Sequence, residues 1–296
     1  MSIKKWISDN TDNLNGRLVA ITGATGGIGC ELCRHLALLG ADLVLLNRSL
    51  KKSLELEGEI RREFASINIS HITLDLEDIC SVKAAVEKLK CMPIDILIHN
   101  AGAYSIPRHK CETELDNVFQ INFMSPYYIT RELLPSLNCR ENARVVIVGS
   151  IAHNYSKTDP DDRDFSTRKQ SSLVYGNAKR YLMLSMYKLF EETQNTRLSI
   201  THPGITFTNI TAHYPRLIFA VIKHPMKIIF MKPRTAALSL VKGVFDKCDF
   251  GEWIGPRIFD IWGRPKKRMI STFNRAEADR IFSDAEELYT KMRETF

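Results

Sequence analysis

The sequence lacks a long uninterrupted apolar run. The most apolar stretch of its 296 residues, Leu217 to Met231, is broken by lysine, histidine and proline and is shorter than the ~20 apolar residues that span a bilayer. Lys4 and Lys5 are followed at once by aspartates and asparagines rather than by an apolar core, which disfavours a secretory signal. The sequence therefore predicts no transmembrane helix, and we expect a cytoplasmic protein.

Cysteine is also scarce. Seven cysteines, an odd number thinly spread, do not resemble a disulfide framework. Cys30 and Cys33 form an isolated CxxC inside a predicted helix without the sequence context of thioredoxins, which favours buried reduced thiols over a redox pair. The eight histidines show no HxxH or HExxH spacing, so no metal site is predicted. Among them, His153 is expected to be a solvated loop residue, with a substrate contact as the alternative.

Acidic residues are missing from one segment, 193–245. This segment carries seven of the basic residues, and the formal net charge of the whole chain is +7, so the remaining charges balance. A basic surplus is one sign of a nucleic-acid binder, but no basic motif interleaved with aromatic residues accompanies it. We therefore predict no nucleic-acid partner. The surplus favours an anionic dinucleotide, with an acidic substrate group or an anionic lipid surface as alternatives.

What is present is an ordinary globular composition, 44% hydrophobic and 25% charged, without a biased tract or repeat. Short β-branched runs alternate with helix-length amphipathic ones. The predicted strands are Leu18 to Thr22, Leu43 to Leu46, His71 to Leu74, Ile94 to His99, Arg144 to Val148 and Arg197 to Thr201. The predicted helices are Gly27 to Leu39, Lys51 to Phe64, Ile79 to Leu89, Glu114 to Leu137, Leu173 to Gln194 and Ala236 to Phe245.

This alternation predicts an α/β fold, a single-domain Rossmann-type doubly wound parallel sheet with helices on both faces. Its ligand crevice should lie at the carboxyl ends of the strands. We predict an N-terminal arm over 1–15, the dinucleotide-binding domain over 16–274 and a C-terminal helix over 275–296.

A glycine-rich loop follows the first strand and opens a helix. It reads Thr22-Gly23-Ala24-Thr25-Gly26-Gly27-Ile28-Gly29. Glycines permit positive φ and let backbone N–H groups approach a pyrophosphate at the helix N-terminus. A purely structural turn is the alternative, but the position after the first strand of a βαβ unit favours a dinucleotide site.

The second strand ends at Asn47-Arg48-Ser49, about 18 residues past Gly29. An NAD site would favour an acid here to bind the ribose 2′-hydroxyl, whereas a guanidinium suits a 2′-phosphate. NADP(H) is therefore preferred over NAD(H), with Asn47 and Ser49 as helpers. A solvated loop arginine is the alternative interpretation of Arg48.

Tyr175 and Lys179 lie four residues apart and so on one face of a predicted helix. An ammonium beside a phenol should lower the pKa of the tyrosine from ~10, which suits a proton donor and acceptor. Taken alone, this pair could equally be a surface tyrosine and an unrelated lysine. Upstream, Ser150 follows an apolar strand and places a hydroxyl at the expected crevice.

These motifs, with Asn100-Ala101-Gly102 and with Asn122 in Gln120-Ile121-Asn122-Phe123, occur in one order. Together with the TGxxxGxG loop they resemble the short-chain dehydrogenase/reductase family over roughly residues 15–260. The resemblance implies that Tyr175 is the general acid/base and Ser150 the substrate-orienting hydroxyl. It implies that Lys179 lowers the pKa of Tyr175 and binds the nicotinamide ribose, and that Asn122 supports a proton relay.

The same resemblance implies the cofactor contacts. Asp75 and Leu76 would flank the adenine, and Asn100, Ala101 and Gly102 would line its ribose. Pro203, Gly204, Ile205 and Thr208 match the family's PGxxxT segment, in which Ile205 and Thr208 would contact the nicotinamide amide. The remaining cofactor positions are those of the glycine loop and the second strand: Gly23, Thr25, Gly26, Gly27, Ile28, Gly29, Asn47, Arg48 and Ser49.

The separation of Ser150 and Tyr175 is 25 residues, longer than in compact members. With Arg48, it resembles the retinol-dehydrogenase-like branch, whose position for a substrate lid corresponds here to 209–233. This segment is rich in apolar residues, which favours an apolar or bulky alcohol or carbonyl substrate. Packing on the domain, a homo-oligomer contact and peripheral membrane docking are alternative roles.

Two function classes remain. The first is an NADP(H)-dependent oxidoreductase that uses hydride transfer, with Tyr175 as the general acid/base. The second is a dinucleotide-binding regulatory or interaction protein that keeps the fold without significant turnover. The presence of both Tyr175 and Lys179 favours the first.

Overall fold

The computed structural model describes residues 2–191, 193, 195–206 and 230–296. Its centre is an eight-stranded sheet in the order β3-β2-β1-β4-β5-β6-β7-β8. The strands are β1 (Leu18–Thr22), β2 (Asp42–Asn47), β3 (Ile69–Thr73), β4 (Ile96–His99), β5 (Arg144–Val148), β6 (Arg197–Thr201), β7 (Glu252–Ile258) and β8 (Trp262–Met269). Neighbours pair in parallel except β7 with β8, which form an antiparallel hairpin.

Helices cover both faces of the sheet. They are α1 (Ile3–Asn10), α2 (Gly27–Leu38), α3 (Leu50–Glu63), α4 (Ile79–Lys90), α5 (Asn117–Phe119), α6 (Ser125–Asn138), α7 (Ser171–Glu191), α8 (Pro233–Phe245) and α9 (Arg275–Thr295). A π-helical turn, Gln120–Met124, joins α5 to α6, and a 3-10 turn, Ile151–Asn154, follows β5. One core lies between the sheet and α4, α6, α7 and α9, and the other between the sheet and α1, α2, α3 and α8.

The fold confirms the predicted doubly wound α/β class. The chain order reverses between β1 and β4, so the crevice opens at the carboxyl ends of these strands, where the glycine loop also lies. All six predicted strands form, with ends shifted by one or two residues.

The sequence analysis missed α1, β7 and β8. The β7–β8 segment contains Pro256 and Pro265 and a run of basic residues, which obscure the two-residue alternation of a strand. Trp6 of α1 is buried in one core and Ile281 of α9 in the other. Both terminal segments therefore contribute to the cores that support the sheet.

In the described part of the chain no helix is both long and apolar enough to cross a membrane. All seven cysteines are free thiols. Cys33 is buried and Cys30 half-buried, and burial raises the pKa of both thiols. These surroundings agree with reduced, unreactive cysteines.

Candidate active site

The glycine loop between β1 and α2 is a close-packed backbone turn. Gly23 has φ +66°, and a Cβ on it would lie 2.9 Å from the Cα of Ala101. A Cβ on Gly29 would collide with the carbonyl oxygen of Gly23. The loop thus has no room for side chains at these two positions, so a ligand at the N-terminus of α2 can approach its backbone closely.

Asn100, at the end of β4, ties this loop to the neighbouring strand. Its Nδ2 donates to the carbonyl oxygens of Thr22 and Gly23 at 3.1 and 3.0 Å. The N–H of Ala101 donates to the Thr22 hydroxyl at 3.0 Å. Two strand ends predicted separately are thereby held as one rigid wall of the crevice.

A cavity of about 430 Å³ lies along this wall. It brings together fourteen of the predicted cofactor residues: Gly23, Thr25, Gly26, Gly27, Ile28, Gly29, Asn47, Arg48, Ser49, Asp75, Leu76, Asn100, Ala101 and Gly102. Sequence reasoning missed eight further lining residues: Thr22, Leu46, Lys52, Leu74, Glu77, Ala103, Ile106 and Ile121. Most of these residues adjoin a predicted position in the sequence, so the neighbouring motifs could have been used to find them.

The end of β2 presents positive charge to the cavity. Arg48 and Lys52 are both exposed and line it, and Lys52 lies in the first turn of α3, four residues after Arg48. Asn47 has a different role from the predicted helper, because its amide is used internally. Its Oδ1 accepts from the N–H of Thr25 at 3.2 Å, and its Nδ2 donates to Ser53 at 2.7 Å. It therefore positions the loop against α3.

Asn122 lies in the π-helical turn and is buried. Its Nδ2 donates to the carbonyl oxygens of Val118 and Ala103, both at 2.8 Å, and its Oδ1 accepts from the N–H of Ala103 at 3.2 Å. The bond to Val118 inserts a side chain into the helical ladder, a recognised cause of such a bulge. Asn122 thus clamps the irregular backbone at Ala103, directly after Gly102.

Gly102 connects the cavity to the predicted catalytic residues. A Cβ on Gly102 would lie 2.9 Å from Oδ1 of Asn122 and 3.7 Å from Nζ of Lys179. Only a glycine leaves this approach open. The cavity and the tyrosine–lysine pair therefore belong to one continuous site.

Ser150 and Tyr175 meet beyond this point. Ser150 follows the carboxyl end of β5, Tyr175 lies in the second turn of α7, and the Ser150 side chain is close enough to act on the pKa of the Tyr175 phenol. The ring of Tyr104, which the sequence analysis did not single out, packs edge-on against Tyr175 with centroids 5.3 Å apart. The long insertion between Ser150 and Tyr175 does not separate them, because the 3-10 turn that directly follows Ser150 packs against α7.

Lys179 is buried beneath Tyr175. Its Nζ donates to the carbonyl oxygen of Val148 at 2.9 Å and lies 5.7 Å from the centre of the Tyr175 ring. Burial lowers the pKa of Lys179 to about 7. His99 lies close enough for the charge of Lys179 to act with burial in lowering the pKa of the histidine to about 3.

The expectation of a lowered tyrosine pKa does not hold in this arrangement. Burial raises the pKa of Tyr175 to about 12, against the opposing effect of the Ser150 side chain. The physical reason is that loss of water around the phenol disfavours its charged form more than the groups around it favour that form. Tyr175 is therefore a phenol at neutral pH.

The predicted Pro203-Gly204-Ile205 segment follows β6, outside the lining of the 430 Å³ cavity. Gly204 has φ +80°, and the N–H of Met231 donates to the carbonyl of Ile205 at 3.0 Å. Thr206, which precedes the predicted lid, and Met231, near its end, form an isolated parallel bridge. Thr208 and residues 209–229 of the lid lie outside the described residues.

His153 is neither a solvated nor a substrate-facing residue. It is buried, its Nδ1 is 2.5 Å from the carbonyl oxygen of Ser150, and its ring packs on Phe273 with centroids 4.8 Å apart. Burial lowers its pKa to about 4, so the ring is neutral. The sequence expectation was wrong because the C-terminal segment covers this turn, a contact invisible in the local sequence.

Comparisons with known proteins identify relatives of this chain. Retinol dehydrogenase 12 of Mus musculus is 32% identical over 218 residues, which are 71% of this chain and 69% of that protein. Polyprenol dehydrogenase of Homo sapiens is 27% identical over 207 residues; the match covers 67% of this chain and 63%, less than two thirds, of that protein. An uncharacterised protein of Mycobacterium paratuberculosis superposes with a TM-score of 0.72 at 24% identity, covering 96% of this chain and 97% of that one, and shows the same fold.

The family model described as short chain dehydrogenase matches residues 17–216, more than half of the sequence. The matched stretch contains the glycine loop, Asn122, Ser150, Tyr175 and Lys179. The chain belongs to the short-chain dehydrogenase/reductase family and resembles its retinol-dehydrogenase-like branch.

Proposed function

We propose that this protein is an NADP(H)-dependent oxidoreductase that interconverts an alcohol and a carbonyl. The observation that carries the proposal is the contact of Ser150 with Tyr175 above a buried Lys179, continuous through Gly102 with the cavity at the glycine loop. A nicotinamide dinucleotide bound there would supply or accept the hydride. The chain's own residues must then position the substrate oxygen and move one proton.

A dinucleotide fits the residues present. The crowded glycines allow close approach to the backbone at a helix N-terminus, where a pyrophosphate is stabilised. Asp75 and Leu76 border the cavity opposite the Asn100 wall, a place for the adenine. Lys179 reaches the far end beside Gly102, where it can bind a ribose hydroxyl.

The proton chemistry falls to Tyr175. In carbonyl reduction, its phenol donates a proton to the substrate oxygen, while the Ser150 hydroxyl holds that oxygen by a second hydrogen bond. A pKa of about 12 keeps Tyr175 protonated before the step. Lys179, with a pKa of about 7, can be an ammonium at neutral pH and stabilise the phenolate that remains.

NADP(H) is favoured over NAD(H) by the charges at the end of β2. Arg48 and Lys52 both border the cavity, and neither β2 nor the loop after it ends on a carboxylate. A 2′-phosphate would meet two cations there, whereas a 2′-hydroxyl would find no acidic acceptor at the usual position. Lys52 thus adds a second residue to a preference that the sequence based on Arg48 alone.

We further propose that the substrate is apolar or bulky. The sequence of 209–233 supplies the apolar residues, and the Thr206–Met231 bridge holds Met231 of this segment beside the end of β6. The names of two relatives, polyprenol dehydrogenase and retinol dehydrogenase 12, also point to lipophilic alcohols. We keep a contact between identical subunits as an alternative role of this segment.

The test is NADPH oxidation by the purified chain against a panel of aldehydes, ketones and quinones of increasing apolar size. We expect turnover with the lipophilic members and none in Tyr175→Phe. Tight NADPH binding without turnover on any member would contradict the proposal and favour a dinucleotide-binding regulatory or interaction protein. Equal use of NADH would contradict the cofactor preference alone.

A further inference from the structure

The β7–β8 hairpin ends in a turn with an unusual residue at its tip. Ile258 accepts a hydrogen bond from the N–H of Ile261 at 2.9 Å, and the central residues Phe259 and Asp260 have φ +51° and +57°. This is a type I′ turn, whose first central position favours asparagine or glycine. Phe259 instead places an aromatic ring there, and the residue is 79% exposed. Neither the backbone preference of this turn position nor packing of the ring accounts for a phenylalanine here.

Two further large apolar side chains flank the tip. Ile258 and Trp262 face each other across the hairpin, and they are 48% and 37% exposed. Single exposed apolar residues are common, but a group of three at a protruding turn marks a contact surface. We call Ile258, Phe259 and Trp262 the hairpin tip.

Positive charge surrounds the hairpin tip. Residues 257–269 contain five basic residues and one acid, a net charge of +4. The acid, Asp260, lies 3.3 Å from Arg268 and is thereby neutralised. Arg257 and Lys266 are exposed, and no carboxylate of the described residues lies within 4 Å of either. The hairpin therefore presents Arg257 and Lys266, two cations without a described carboxylate partner, near the apolar hairpin tip.

The hairpin tip lies at the active-site edge of the sheet. Strand β7 runs parallel to β5 and β6, so its carboxyl end is on the same side as Ser150. A Cβ on Gly204, next to the predicted nicotinamide segment, would lie 2.7 Å from the carbonyl oxygen of Ile261 and 2.9 Å from Pro256. Whatever binds the hairpin tip also covers this edge.

We propose that the hairpin tip docks on an anionic lipid surface. The three apolar side chains would enter the headgroup layer, where aromatic rings are favoured, and Arg257 and Lys266 would meet the lipid phosphates and carboxylates. A second copy of this chain fits worse, because a twofold contact would place one hairpin, of net charge +3 over residues 252–269, against another. An acidic protein surface is the alternative partner that the experiment must distinguish from an anionic lipid surface.

The experiment is vesicle flotation of the full chain with pure phosphatidylcholine and with phosphatidylcholine containing phosphatidylserine. We expect binding to the second kind only, weakened by salt. Trp6 and Trp253 are buried, so a blue shift of tryptophan emission on binding would report Trp262. Phe259→Asn suits the positive φ of the turn and should keep the fold while lowering the vesicle partition coefficient about tenfold, the effect expected for losing one inserted aromatic ring.

Arg257→Gln combined with Lys266→Gln should lower binding to anionic vesicles by a similar or larger factor. Matched controls are Leu54→Gln and Arg62→Gln on α3, which remove an exposed apolar side chain and an exposed cation far from the hairpin. Both controls should bind as the wild type does. Binding measured without substrate is independent of turnover, so Tyr175→Phe should also bind normally whether or not the oxidoreductase proposal holds.

Four results would overturn the proposal. The first is the absence of wild-type binding to phosphatidylserine vesicles at low salt, and the second is binding by Phe259→Asn and by the double variant equal to that of the wild type. The third is a fall in oligomeric mass of Phe259→Asn, measured by light scattering without lipid, which would assign the tip to a second copy. The fourth is salt-sensitive vesicle binding with an unchanged tryptophan spectrum, which would indicate a purely electrostatic contact, as with an acidic protein surface, and reject insertion of the tip.

Discussion

The guanidinium of Arg180 donates to both carboxylate oxygens of Glu277, at 2.6 and 2.5 Å. Arg180 directly follows Lys179 on α7, and Glu277 lies in the first turn of α9. Arg180 also donates to the carbonyl oxygen of His153, at 3.3 Å, in the turn behind Ser150. The C-terminal helix is therefore joined through one buried arginine to both halves of the catalytic site.

Glu277→Gln should destabilise the protein by about 3 kcal/mol, because it leaves the buried Arg180 without its negatively charged partner. Burial acts to raise the pKa of Glu277, but the bond and charge of Arg180 outweigh it and the net pKa is lowered. The stabilisation is therefore present above the ordinary glutamate pKa and is lost as the pH falls through the lowered value. Urea unfolding of both proteins should show the difference at neutral pH and its decline in acid.

The control for this pair is Asp249→Asn, which breaks the exposed contact of Asp249 with Lys247. Exposed pairs contribute at most about 1 kcal/mol, so this variant should unfold nearly as the wild type does. Equal effects of the two substitutions would contradict a special role for the buried pair.

Tyr175→Phe should lower kcat by about 10²-fold to 10⁴-fold, the usual contribution of a positioned general acid, and leave NADPH affinity nearly unchanged. Single-turnover NADPH oxidation gives the first quantity, and quenching of tryptophan emission on NADPH titration gives the second. Tyr155→Phe is the matched control because Tyr155 is 56% exposed. Full activity of Tyr175→Phe would reject the tyrosine as the proton donor.

Lys179 should make the free energy of unfolding depend on pH in the alkaline range. Burial lowers its pKa to about 7, so above that pH the unfolded chain binds more protons than the folded one, and stability rises until the ordinary lysine pKa is passed. The difference in unfolding free energy between the wild type and Lys179→Met should change by up to about 1.4 kcal/mol per pH unit between these limits. A flat difference between about pH 7 and 10 would show that the lysine is not desolvated.

Arg48→Ala and Lys52→Ala should each raise the KM for NADPH by about tenfold, the effect of losing roughly 1.4 kcal/mol of charge-assisted hydrogen bonding. The KM for NADH should stay within about twofold, because the 2′-phosphate is absent from it. Arg62→Ala, an exposed cation on the same α3, serves as the control. Parallel changes with both cofactors would mean that these residues hold the loop and not the phosphate.

Gly29→Ala should abolish dinucleotide binding, because the new Cβ collides with the Gly23 carbonyl and would push the loop out of shape. Gly58→Ala is its opposite: nothing lies within 4 Å of that position in α3, and alanine should stabilise the helix by about 1 kcal/mol. NADPH titration and thermal unfolding measure the two effects. Normal NADPH binding by Gly29→Ala would contradict the close-packed loop.

Much of the fold and site could be predicted because the relevant signals are local. The glycine loop needs positive φ and close backbone approach, and Tyr175 and Lys179 share one helix, so spacing alone relates them. Lys52 could have been found in the same way, as the residue one turn beyond Arg48 on a helix that the sequence already indicated.

The tertiary structure decided what depends on burial and on contacts between distant segments. It reversed the expected shift in the pKa of Tyr175, because only packing shows that the phenol itself is desolvated. It buried His153 under the C-terminal segment and paired β7 with β8 against weak strand propensity. By itself the sequence determined which chemical groups are present and in what order; their solvation and partners follow from long-range packing, which no local pattern encodes.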